Sequence, residues 1–237
     1  MNLLRLLRPA PRNLPTYYAR LTEADALRGH EYPVFDHAKT MVSGNNVLIS
    51  WVETIEAAAG LFDEKRDWGD LTERDAAILL GLRHAGEDWG LLGNMALAGS
   101  AVQAFKRLPD VRRYIRDQLG FVLGAKNVGF VAANVIGSIS ELPGFGPAIA
   151  KRLIALARPE AGVSVNNGSA PGLAELLGWK DNPLTLTSQK NYPKLLEWIS
   201  QQPWYKSAEP VDQELRRIWK MRAALIDVFV YEPPQSL

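Results

Sequence analysis

The run Leu142-Pro143-Gly144-Phe145-Gly146-Pro147-Ala148-Ile149-Ala150-Lys151-Arg152-Leu153 holds the residues best spaced for chemistry. Two glycines flank one aromatic residue, and Pro147 opens a helical pattern. Glycine reaches positive φ without a Cβ clash, so the chain can turn tightly here, and proline suits a first helical turn. The N–H groups that follow lack intrahelical partners and lie at the positive end of the helix macrodipole. Together they make a site for an anion. Phe145 is expected to be buried and to fix the turn. Lys151, one turn beyond Ala148, reads as a phosphate contact or a solvated side chain.

The elements that must position this turn are helical. A helix over 128–140 leads into it. Thr72 is a suitable N-cap for a helix carrying Ala76, Ala77, Leu79, Leu80 and Leu82. Pro109 starts another, with Val111, Tyr114, Ile115, Leu119, Val122 and Leu123 at helical spacing. Further helical patterns fall near 16–28, 46–60, 88–106, 125–140, 147–157, 170–177, 193–201 and 211–230. Val163-Ser164-Val165 and Val228-Phe229-Val230 are the only strand-like runs, and both are too short to found a sheet. The expected fold class is all-α, a two-lobed helical bundle in one domain over 1–237. An N-terminal lobe of about 16–108 packs with the C-terminal helices, and the turn belongs to a lobe of about 109–180.

Composition narrows the chemistry. The 237 residues include no cysteine, which excludes disulfides, a thiolate-held iron–sulfur cluster, a cysteine nucleophile and Cys-rich zinc sites. His30, His37 and His84 are the three histidines and read as surface or capping residues. His37 follows Asp36 directly, and consecutive helical residues do not face each other. The net charge is +1, but it sums unlike regions: residues 1–20 and 106–116 are each +4, whereas 53–75 carries eight acids against three bases. These are expected to be solvated faces, although a basic face could bind a polyanion. No secretory signal is visible, and no uncharged stretch, 127–140 among them, reaches the roughly 20 residues of a membrane span. A soluble, cytoplasmic protein is expected.

The pattern Leu142-Pro143-Gly144-Phe145-Gly146 followed by Ala150 resembles the helix-hairpin-helix motif, which grips a DNA backbone phosphate without reading sequence. Over residues 139–178, through Val163-Ser164-Val165-Asn166-Asn167 to Gly178, the chain resembles the helix-hairpin-helix (HhH-GPD) DNA glycosylases. The resemblance implies contacts to duplex DNA from Gly144, Phe145, Gly146, Ala148, Ile149 and Lys151. It also implies a loop over 164–169 facing the sugar, and a monomer with no iron–sulfur cluster or other required cofactor. A monovalent cation at the hairpin carbonyls is consistent with the motif.

Two departures bear on mechanism. Bifunctional members carry a lysine where this chain has Ala148, so the resemblance implies a monofunctional enzyme that leaves an abasic site without lyase cleavage. The catalytic aspartate position falls on Asn166 counted from Ala148, or on Asn167 counted back from Gly178. A carboxylate at about 4 Å from the developing sugar cation is worth on the order of 4 kcal/mol at an effective dielectric near 20, roughly a thousandfold in rate. Three readings stay open: Asn166 or Asn167 positions a water, a carboxylate such as Asp36, Glu160 or Asp181 substitutes, or the protein binds DNA without cutting it. Asp36 also reads as a cap, and Glu160 and Asp181 as ordinary loop acids. Ser169 is expected to cap the following helix through its hydroxyl, with a phosphate contact as a second role.

A flipped base needs stacking and edge contacts. Trp51, Trp68, Trp89 and Trp179 are candidates to line its pocket, whereas Trp198, Trp204, Tyr205 and Trp219 read as core. Gly44-Asn45-Asn46 and Gly90-Leu91-Leu92-Gly93-Asn94 supply amides for a base edge or for turns. Alkylated or deaminated bases in repair are one substrate class. A bulky hypermodified pyrimidine of bacteriophage DNA, such as a modified cytosine removed in defence, is the other, and the unusual amide leans toward it. The rival expectation is a non-catalytic DNA-binding subunit of a repair or defence complex.

Overall fold

The computed structural model describes residues 42–43 and 46–230. The expected helix at 16–28, the basic N-terminal arginines, His30, Asp36, His37, Gly44 and Asn45 lie outside the described residues.

The described chain is mostly helical. Ser50 accepts from Glu53 N–H at 3.2 Å while the Glu53 carboxylate takes Ser50 N–H, a capping box that starts α1 (Trp51–Ala59). Thr72 and Asp75 repeat the device for α2 (Glu73–Leu80), as the sequence predicts. Then follow α3 (Gly99–Arg107), α4 (Pro109–Gly124), α5 (Val128–Ser140), α6 (Pro147–Ala157), α7 (Ala170–Leu177), α8 (Tyr192–Gln201), α9 (Gln213–Lys220) and α10 (Asp227–Val230). Short 3-10 turns join several of them, including Pro183–Thr187 before α8.

A small sheet departs from the expectation. Strands β1 (Val42–Ser43), β2 (Asn46–Leu48), β3 (Arg83–His84) and β4 (Glu87–Asp88) run in the order β1-β2-β4-β3, with β2 and β4 parallel and the other pairs antiparallel. Strands of two or three residues carry no readable alternation, and the helices expected near 46–60 and 88–106 begin only at Trp51 and Gly99. Ion pairs tie the sheet down: Arg74 of α2 holds Glu87 at 2.9 and 3.1 Å, and within the β3–β4 hairpin Arg83 holds the buried Asp88 at 2.9 Å. Conversely, Val163–Val165 is buried but forms no strand, and Val228–Val230 is helical.

The core is organised around α6. Every residue from Ile149 to Leu156 is buried, and α6 packs against α1 and α2 from the N-terminal half and against α4 and α5. A helix apolar on all sides belongs at the centre of a fold. Burying Ile149, Leu153, Ile154 and Leu156 contributes about 1.5–3 kcal/mol apiece. The two charges inside this stretch, Lys151 and Arg152, are both at 0% exposure.

The basic run 106–116 is not one solvated face. Arg112 is buried and donates to the Phe105 and Lys106 carbonyls that end α3, and to Gly69. Arg113 makes two 3.0 Å bonds to Asp67, and Arg116 donates to Phe62 carbonyl at 3.2 Å. Part of the basic segment is thus neutralised by the acidic one.

Candidate nucleic-acid interface

Helices α5 and α6 are joined by a tight turn over 141–146. Asn127 caps α5 by accepting Gly129 N–H at 2.9 Å. At the other end, Phe145 N–H closes the turn on the Leu142 carbonyl at 3.0 Å. Gly144 has φ +83, and a Cβ there would strike Ser100 Oγ and stand 3.0 Å from Ala101 N, at the start of α3. Only glycine meets both demands. Phe145 is 4% exposed and anchors the turn in the core, as expected. Gly146 is the N-cap of α6 and provides no side-chain cap. Among the described residues, the N–H groups of Gly144, Gly146 and Ala148 have no hydrogen-bond partner, whereas Ile149 N–H goes to the Gly146 carbonyl at 3.1 Å. The open donors converge at the positive end of a buried helix. Ile149 reaches this surface with neither its buried side chain nor a free N–H.

Lys151 corrects its sequence reading. Its amine turns inward and donates to the carbonyls of Leu186, Thr187 and Ser188, and lies 5.4 Å from the Tyr192 ring centroid. It closes the end of the Pro183–Thr187 turn instead of meeting a phosphate. Burial pushes its amine down to about 7, while the carbonyl acceptors favour the charged form.

The neighbouring Arg152 is a hub. Its Nε donates to Leu79, Nη1 to Leu91 and Gly93, and Nη2 to Ile78 and Trp89, all backbone carbonyls. A guanidinium has five N–H donors, and all are used. Burial lowers its pKa to about 9, opposed by the charge of Asp227, so it stays a cation at neutral pH.

The loop after α6 lies on the segment that Arg152 holds. Ser164 Oγ donates to the Leu92 carbonyl, and Tyr192 OH bridges both backbone groups of Val163 at 2.9 and 2.8 Å. Asn166 Oδ1 accepts Gly168 N–H at 2.8 Å and Ser169 N–H at 3.2 Å, and its backbone carbonyl accepts Ala170 N–H at 3.0 Å. Its Nδ2 lies 3.2 Å from where a Gly93 Cβ would be. Asn166 is therefore the residue that caps the turn leading into α7. Ser169, expected to be the cap, makes no side-chain cap bond and is fully buried; its hydroxyl instead accepts Asn166 N–H at 3.2 Å. A phosphate contact from that hydroxyl is excluded by its burial. Asn167 is exposed.

The candidate carboxylates do not gather here. Glu160 pairs with Arg158, which also ties the carbonyls of Val122, Leu123 and Ala125, and it lines a groove of about 470 Å³ with Phe130 and Tyr205. Asp181 is exposed beyond α7, and Asp36 lies outside the described residues. Of the tryptophans expected at a pocket, Trp51, Trp68 and Trp89 are core, while Trp179 is half-buried and donates to Thr185 Oγ1 at 3.0 Å. Trp204 is buried, and Trp198, Tyr205 and Trp219 pack against the core as expected. Asn94 Oδ1 accepts Ala96 N–H at 2.7 Å, the turn role.

Sequence reasoning missed Leu97, which is 102% exposed three residues before Ser100. The signal available was an isolated large apolar residue in the small-residue run Ala96 to Ser100. Among the described residues no helix is long and apolar enough to cross a membrane, and no group of three His, Cys, Asp or Glu could hold a metal. A scan of protein-family models and a search of curated protein sequences gave no match to the chain.

Proposed function

We propose that the protein is a monofunctional DNA glycosylase that flips a modified base out of duplex DNA and hydrolyses its N-glycosyl bond. One feature carries the reading: the turn with open N–H donors at Gly144, Gly146 and Ala148, whose Gly144 packs against Ser100, three residues along the chain from the wholly exposed Leu97. The turn receives a backbone phosphate, and Leu97 enters the space a flipped base vacates; apolar wedges of this kind unstack neighbouring base steps. The everted nucleotide then lies toward the 164–169 loop, where Asn167 is exposed and free to orient a water. Asn166 is a poor choice for that work, since both lone pairs of its side-chain oxygen already accept backbone N–H groups. No amine stands at Ala148, so the product is an intact strand with an abasic site.

The same capping of Asn166 supports a second reading, a non-catalytic DNA-binding subunit. The test is to incubate the protein with DNAs containing uracil, alkylated purines, 8-oxoguanine or glucosylated hydroxymethylcytosine and to measure free base by mass spectrometry. Release of one base is the expected result. Duplex binding without release from any substrate selects the second reading.

A further inference from the structure

The loop from Trp89 to Met95 carries backbone strain at an unusual place. Leu92 is fully buried with φ +65, and Gly93 follows with φ +105. Left-handed backbone is costly at a leucine and persists only where the surroundings impose it. Here they do: Arg152 bonds the carbonyls on both sides, Leu91 and Gly93, and anchors them to Ile78 and Leu79 of α2. Ser164 Oγ fixes the Leu92 carbonyl between them. On the outer side of this peptide rests the Asn166 amide, so close that a Cβ on Gly93 would stand 3.2 Å from Nδ2.

We infer that Arg152 is a positioning residue for the 164–169 segment: it holds the Leu92–Gly93 peptide as the wall against which Asn166 is seated. Its catalytic meaning rests on the glycosylase reading above, but the mechanical coupling does not. Arg152 lies on the same helix whose N-terminus forms the open turn. One rigid element therefore sets both the phosphate-facing donors and, through Gly93, the segment proposed to face the sugar. No donor of Arg152 is left over for a ligand, so its effect must pass through the backbone it holds.

The experiment compares wild type with Arg152→Lys and Gly93→Ala by amide hydrogen exchange, thermal melting and duplex binding. Lysine cannot reproduce five bonds in a fixed fork. Gly93→Ala leaves Arg152 in place, puts a Cβ at φ +105 and crowds Asn166 and Met95, so where it folds it tests the Gly93–Asn166 contact without touching Arg152. In a folded variant, protection at Gly168 and Ser169 is expected to fall about tenfold. Protection at Phe145 and affinity for undamaged duplex should be unchanged. With a substrate in hand, kcat should fall by about 10²-fold at nearly constant KM. Unchanged exchange at 168–169 in folded Gly93→Ala overturns the inference. So does a normal kcat despite lost protection. If wild type releases no base, the glycosylase reading fails, and exchange alone still decides the coupling.

Discussion

Asn166 and Ser169 bond each other reciprocally: Ser169 N–H donates to Asn166 Oδ1, and Asn166 N–H donates to Ser169 Oγ, each at 3.2 Å. This is capping-box geometry with the amide in the capping role. An aspartate at 166 could make the same bonds while adding a charge. Asn166→Ala should therefore cost about 1 kcal/mol of stability, measured by denaturant unfolding. Asn166→Asp should keep or raise stability, because a negative charge suits a helix N-terminus. Under the proposed glycosylase function it should also speed excision, by placing a carboxylate in the segment proposed to face the sugar.

Asn167 is the contrasting case. It is exposed and has no structural task comparable to that of Asn166. Asn167→Ala should change stability by less than about 0.5 kcal/mol. It should nevertheless slow excision strongly, and an undiminished single-turnover rate would remove water positioning from this residue.

At the turn, two glycines should behave differently. Gly144→Ala places a Cβ on Ser100 at positive φ and should destabilise the fold by more than about 1 kcal/mol. Gly146 has φ −108 and no atom within 4 Å of a built Cβ, so Gly146→Ala should fold normally. Its new methyl stands beside the open N–H groups and should weaken duplex binding. Leu97→Ala should also melt as wild type, since nothing covers that side chain, but should lose base flipping, read from 2-aminopurine fluorescence next to the target.

Lys151 gives a pH signature. Its amine is pushed down to about 7 in the fold, against about 10.4 in an unfolded chain. Between those values the unfolded chain binds a proton that the folded chain does not, so this group makes stability rise with pH from about 7 to 10. Below pH 7 the cost of burying the charge is fully present. The carbonyls of 186–188 narrow the window by favouring the ammonium. Urea titrations at pH 7 and 9.5 should show a larger gain for wild type than for Lys151→Met, and equal gains would refute the buried amine.

The turn and its flanking helices are legible in the sequence because Gly144, Gly146 and Pro147 are punctuation with a local physical cause. The cap at Thr72 is equally local, whereas the one at Ser50 falls inside the stretch 46–60 that reads as helix. Lys151 and Arg152 were not legible, since charged residues are almost never fully buried unless paired. Their partners are carbonyls 35 to 74 residues away. A hint existed in the unbroken apolar run around them, which is the pattern of a central helix. Trp51, Trp68 and Trp89 sat outside regular apolar runs because they pack from short helices and loops, where periodicity carries little information. The two- and three-residue strands were hidden for the same reason.

Base excision without strand cleavage is the reaction proposed for this protein. It is tested most directly by incubating end-labelled duplexes, each bearing one modified base, with wild-type protein and resolving the products before and after alkali. Intact strands without alkali, and a break at the modified position with it, are expected in one substrate. Strand breaks before alkali would contradict the role assigned to Ala148, and bound duplex with no alkali-labile site in any substrate would contradict excision itself.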